Sequence, residues 1–117
     1  MLFLQYPPCS TCRKAKAWLD AHGITYIDRH IKEKNPSYEE LKHWYETGGL
    51  PLKKYFNTSG LIYKSLNLKD KLPGMTEEEQ LRLLASDGML VKRPVLVLDS
   101  GKVLTGFREK EWADILL

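Results

Sequence analysis

The opening stretch, about 30 residues long, constrains the fold more than any other part of the chain. Leu2-Phe3-Leu4-Gln5-Tyr6 is a short apolar run ended by Pro7-Pro8, and it reads as a buried strand. The next segment is helical, with Ala15, Trp18 and Leu19 on one face and Gly23 where a helix C′ glycine belongs. Ile24-Thr25-Tyr26-Ile27 is rich in β-formers and predicts a second strand. Strand, helix and strand in so short a span make a βαβ unit, so the two strands should run parallel.

The middle of the chain predicts helices. Ser37-Tyr38-Glu39-Glu40 is a capping box after Pro36, and its helix carries Leu41, Trp44 and Tyr45 and stops at Gly48-Gly49. A helical turn is expected within Leu50 to Tyr55, and a short helix over Leu61 to Leu66 follows the cap cluster Asn57-Thr58-Ser59-Gly60. Thr76-Glu77-Glu78-Glu79 is a second capping box, opening a helix with Leu81 and Leu84 inward. The end returns to sheet. Val95 to Leu98 is continuously apolar, Asp99-Ser100-Gly101 turns the chain, and Val103-Leu104 pairs back as a hairpin. Arg108 to Leu116 predicts a closing helix with Trp112 and Ile115 inward. The order β-α-β, helices, β-β-α is that of an α/β thioredoxin-like fold with a mixed four-stranded sheet. Residues 1–117 should form one domain, with a helical insertion at about 36–88.

The net charge of +3 is small and its charges are interleaved, so direct nucleic-acid binding is not expected. Met1-Leu2-Phe3-Leu4 is no signal peptide, and no stretch is long enough for a membrane span. The protein is expected to be cytoplasmic, where a cysteine pair is catalytic or redox-sensing more often than structural.

The two cysteines carry the chemistry. Cys9 lies at the strand-to-helix junction, where open backbone N–H groups and the helix dipole favour a thiolate. Arg13 and Lys14 add positive charge in the first turn, and the Ser10 and Thr11 hydroxyls can bond the sulfur or cap the helix. Cys12, one turn on, either resolves a mixed disulfide or stays a buried, inert thiol. The plain alternatives are two small core residues or half a zinc site. His22, His30 and His43 form no partner motif, so no metal is expected.

Pro8-Cys9-Ser10-Thr11-Cys12-Arg13-Lys14-Ala15, with Gly23-Ile24 after the helix, resembles the arsenate reductase family that couples to glutaredoxin. The same superfamily includes the Spx-type transcriptional regulators. Lys92-Arg93-Pro94 before an apolar strand and Gly106-Phe107-Arg108 before the last helix extend the resemblance over nearly the whole chain. It implies that Cys9 is the nucleophile, that Arg93 and Arg108 hold an oxyanion, and that Pro94 is a cis-proline facing the site. Ser10, Thr11, Arg13 and Pro94 are then the candidate binding residues around Cys9, Cys12, Arg93 and Arg108. The family's third arginine has no counterpart in Phe56-Asn57-Thr58-Ser59-Gly60, and Lys64 is the first cation after that stretch.

The resemblance implies a thiol-dependent oxidoreductase acting on arsenate or a disulfide. No bound cofactor is expected. Glutathione or glutaredoxin, or else thioredoxin, would be the reductant. The alternative it implies is an Spx-type redox-sensing regulator that binds the RNA polymerase α-subunit.

Overall fold

The computed structural model describes residues 1–117. The chain runs β1 (Leu2–Gln5), α1 (Ser10–Ala21), β2 (Ile27–His30), α2 (Tyr38–Gly48), α3 (Leu61–Ser65), α4 (Leu68–Lys71), α5 (Glu77–Ser86), β3 (Val95–Val97), β4 (Val103–Thr105) and α6 (Glu109–Leu116). Short 3-10 turns occupy Leu52–Tyr55, Leu72–Gly74 and Gly88–Leu90. The sheet order is β2-β1-β3-β4, with β1 parallel to β2 and the other pairs antiparallel. This is the mixed four-stranded, thioredoxin-like architecture expected from the element order.

Strand alternation explains why β1, β3 and β4 are mostly apolar. Successive side chains point to opposite faces. Phe3, Leu96 and Leu104 face one side and pack with Ala15, Trp18, Leu19 and Trp112 of α1 and α6. Leu4, Val95 and Val103 face the other and pack with Leu41, Trp44, Leu81 and Leu84 of α2 and α5. Helices cover both faces, so the central strands are apolar on both sides, Gln5 at the end of β1 excepted, whose amide donates to Asp28 at 2.9 Å.

Both predicted capping boxes form, Ser37 with Glu40 and Thr76 with Glu79. Two expectations shift. The second strand is Ile27–His30 rather than Ile24–Ile27. Gly23, at φ 66°, ends α1, and the Ile24 N–H donates back to the Leu19 carbonyl at 3.0 Å, so Ile24 still belongs to the helix cap. Tyr26 packs edge-on against Phe3. Pairing starts only where the Ile27 N–H meets the Met1 carbonyl at 2.9 Å. As β2 is the sheet edge, its polar Asp28-Arg29-His30 is tolerated. The other shift is α4, which follows α3 across Asn67 at φ 54°. Four residues are too short for a periodic signal, and only the buried Leu68 and Leu72 mark the segment as core.

One contact outside the sheet positions the site. Phe56 and Val91 form an isolated antiparallel bridge. The Lys92 N–H donates to the Tyr55 carbonyl and the Asn57 N–H to the Leu90 carbonyl, each at 2.8 Å. This zip holds the Asn57–Gly60 loop beside the chain that enters β3.

Candidate active site

Cys9 is the N-cap residue of α1, with extended backbone at φ −76° and ψ 124°. Its N–H donates to the Tyr6 carbonyl at 2.9 Å, closing the Pro7-Pro8 turn, and its own carbonyl accepts the first helical bond, from the Arg13 N–H. Partial burial on its own pushes the Cys9 thiol up. The Cys12 N–H, the Cys12 thiol, the Arg93 guanidinium and the Thr11 N–H outweigh it, and the net direction is down, toward thiolate.

Cys12 goes the other way. It is fully buried, and burial pushes its thiol up to about 12. The Tyr6 N–H, 3.5 Å from its sulfur, works against that rise. Donation to Cys9 and the nearby Cys9 charge add to it. The two cysteines are both free. The two thiols are therefore shifted in opposite directions, Cys9 toward thiolate and Cys12 toward the neutral thiol.

Arg93 stands beside this pair. Its guanidinium carbon lies 5.2 Å from the centre of the Tyr6 ring, and Tyr6 meets His30 edge-on at 5.8 Å. The N–H groups at Arg93 Nε and Nη1 are buried without any hydrogen-bond partner. A buried guanidinium with open donors is costly unless an acceptor joins it. The Arg93–Pro94 peptide bond is cis. Pro94 is buried at the head of β3, and its carbonyl accepts the Gly106 N–H at 2.8 Å. That bond ties β3 to the turn before α6, where Arg108 is the exposed N-cap residue.

Cys9, Thr11, Arg93 and Arg108 line a common open cleft of about 1060 Å³. Four of the eight sequence candidates do not line it. Cys12 and Pro94 lie buried behind its wall. Ser10 and Arg13, expected as binding residues, are exposed and stand outside the lining. Arg13 Nη2 donates to the Pro8 carbonyl at 3.3 Å and so braces the proline turn, while Ser10 is simply the first residue of α1. Lys64, the first cation after residues 56–60, is also absent from the lining.

The cleft instead recruits Lys53, Lys54 and Lys92, with Glu111 as the one carboxylate. Lys92 stood in a quoted motif and was legible beside Arg93. Lys53 and Lys54 gave no local signal, because only the 3-10 turn Leu52–Tyr55 and the bridge behind it bring them to Cys9's cleft. Asn57 to Gly60 lines the cleft too, and Gly60 caps α3 as the turn cluster predicts. Five cations against one carboxylate make a site for anions. No three His, Cys, Asp or Glu side chains converge as metal ligands.

The comparisons with known proteins agree with this geometry. The chain is 57% identical over 114 residues to the uncharacterized protein YusI of Bacillus subtilis, covering 97% of this chain and 96% of YusI. It is 36% identical to the regulatory protein MgsR of Bacillus subtilis, covering 95% of this chain and 86% of MgsR. It is 30% identical to the global transcriptional regulator Spx of Streptococcus pneumoniae, covering 94% of this chain and 80% of Spx. Among solved structures, an ArsC family related protein from Bacteroides fragilis superposes with a TM-score of 0.92 at 57% identity, covering 97% of this chain and 95% of the other. A possible arsenate reductase from Streptococcus mutans follows with a TM-score of 0.86 at 46% identity, covering 96% of each chain. The ArsC family profile matches residues 4–115, and with the cysteine, the cis-proline and the cationic cleft in place, the chain belongs to the ArsC family.

Proposed function

We propose that this protein is a thiol-dependent oxidoreductase in which the Cys9 thiolate attacks arsenate or a small disulfide. One observation carries the reading. Arg93 is held beside the Cys9 sulfur with two N–H groups that no protein atom accepts. An anionic substrate would supply the missing acceptor, and the second guanidinium, Arg108, lines the same cleft.

With a disulfide, the Cys9 sulfur attacks one substrate sulfur, a Cys9 mixed disulfide forms, and the other half leaves as a thiolate. With arsenate, Cys9 forms a sulfur–arsenic bond and one arsenate oxygen leaves as water after protonation. An external thiol then attacks the Cys9 sulfur. The sulfur–arsenic electron pair stays on arsenic, which leaves reduced as arsenite, and Cys9 is left as a mixed disulfide. Glutathione or glutaredoxin suits the resolving role better than Cys12, which is buried and protonated up to about 12. In this scheme Cys12 stabilises the Cys9 thiolate and does not itself exchange.

The test is thiol consumption by purified protein, with arsenate and separately with a disulfide as oxidant, and Cys9→Ser as control. Turnover of either oxidant that vanishes in Cys9→Ser supports the reading. No Cys9-dependent turnover of either overturns it.

The likeness to MgsR over 86% of that regulator supports a second reading, an Spx-type redox-sensing partner of the RNA polymerase α-subunit. Capture of the α-subunit by one redox state of the full chain would support it. No capture in either state would remove it.

A further inference from the structure

The cleft holds more than the proposed chemistry needs. A tetrahedral oxyanion fills a small part of about 1060 Å³, a volume typical of sites for drug-sized ligands. Cys9, Arg93 and Arg108 account for the reacting end. Lys53, Lys54 and Lys92 remain, and none of them makes an ion pair inside the protein.

These lysines stand on anchored backbone. The Thr105 hydroxyl donates to the Lys54 carbonyl at 2.8 Å, tying the 3-10 turn to β4. The Lys92 N–H donates to the Tyr55 carbonyl one residue beyond Lys54, at 2.8 Å. The Lys92 stem lies over Gly106, where an added Cβ would sit 3.2 Å from Lys92 Cε. Gly106, at φ 71°, thus leaves the room that lets this stem cross the turn before α6. Leu50, Ile62 and Met89, each partly exposed, give the same cleft an apolar surface.

We infer that Lys53, Lys54 and Lys92 form a second anion subsite that selects small disulfides carrying carboxylate groups remote from the reacting sulfur. The inference rests on the disulfide branch of the proposed function and names its substrate class. A substrate carbon chain lies on the Leu50, Ile62 and Met89 surface. Its carboxylates meet the lysines, and its sulfur reaches Cys9. Cys9 exchanges as written above, releasing one carboxylated thiolate.

The experiment measures the rate at which the full chain forms a Cys9 mixed disulfide, followed by intact mass. Three probes are used: 4,4′-dithiodibutyrate (dianionic), bis(2-hydroxyethyl) disulfide (neutral) and cystamine (dicationic). The expected order is anionic, neutral, cationic. Exposed charge pairs of this kind are worth a factor of about two to five each. The triple variant Lys53→Gln, Lys54→Gln, Lys92→Gln should therefore lower the anionic-to-neutral rate ratio by about tenfold or more. Should that variant fold poorly, the single variants Lys53→Gln, Lys54→Gln and Lys92→Gln give the same answer, each lowering the ratio by about two- to fivefold, and the wild-type anionic advantage must also shrink between about 0.02 M and about 0.5 M salt. A ratio that the variant leaves unchanged, or a wild-type advantage that salt does not touch, overturns the subsite. A Cys9 that reacts with all three probes alike overturns only the subsite. A Cys9 inert to all three overturns the disulfide branch as well.

Discussion

Replacing Cys12 by alanine removes a side chain that is fully buried and whose thiol donates to the Cys9 sulfur. The backbone N–H of residue 12 stays, so only one of the groups holding Cys9 as thiolate is lost. A hydrogen bond to a charged acceptor is worth about 1.5 to 3 kcal/mol. Cys9 is half-exposed, so solvent screens part of that, and about 1.4 kcal/mol is a fair remainder, which is tenfold in thiolate population. The sign follows from the charge. Losing a donor to the anion pushes the Cys9 thiol up, so reactivity drops on the acid side and converges with wild type at high pH. The assay is the iodoacetamide alkylation rate of Cys9 against pH. Cys12 does not compete, being buried and protonated up to about 12. At pH 6 the Cys12→Ala rate should be about tenfold below wild type, whereas Cys12→Ser, which keeps a donor, should stay close to wild type. A Cys12→Ala profile that overlays wild type, or moves to lower pH, would refute the division of roles between the two cysteines.

Three further outcomes follow from the packing and charges. Tyr6→Leu removes the ring beneath Arg93 and should lower Cys9 alkylation at pH 6 by about two- to fivefold, while Tyr6→Phe keeps the ring and the rate. Glu40 is held at about 2, well below its ordinary 4.5, first by Arg29 through contacts of 2.6 and 2.9 Å and then by Ser37. Its folded value lies below its unfolded one, so its stabilisation is present above about 4.5 and fades as pH falls toward about 2. After discounting for the partial exposure of its carboxylate, Glu40→Gln should lose about 1 to 2 kcal/mol at pH 7 by urea unfolding, and almost nothing at pH 2. Gly88→Ala drives a Cβ into the Ile31 carbonyl, a backbone group that cannot swing aside, and should cost about 2 to 4 kcal/mol, read as a clear drop in melting temperature.

Much of the fold was legible because its causes are local. The two capping boxes, the glycines that end α1 and α2, and the apolar runs of β1, β3 and β4 each act within a few residues. The reactivity of Cys9 belongs here too, since the N-terminus of α1 creates open N–H groups wherever that helix goes. The start of β2 was not legible, because apolar residues mark where side chains pack and not where the ladder begins. Ile24 and Tyr26 pack with the core that β1, α1 and α6 share, yet pairing waits for Ile27.

The site divides along the same line. The sequence by itself marked Cys9 as the candidate reactive thiol, and the family resemblance carried by its short motifs pointed to Pro94 as a cis-proline and to Arg93 and Arg108 as guanidinium candidates. Only the tertiary structure decided that Lys53 and Lys54 line the cleft while Ser10 and Arg13 do not, for its walls are built from segments far apart in the chain. It also decided between the two cysteines. Both sit in one four-residue motif, but burial is a property of the packed core: it pushes the Cys12 thiol up, while the donors from Cys12, Arg93 and Thr11 bring the Cys9 thiol down against its own partial burial.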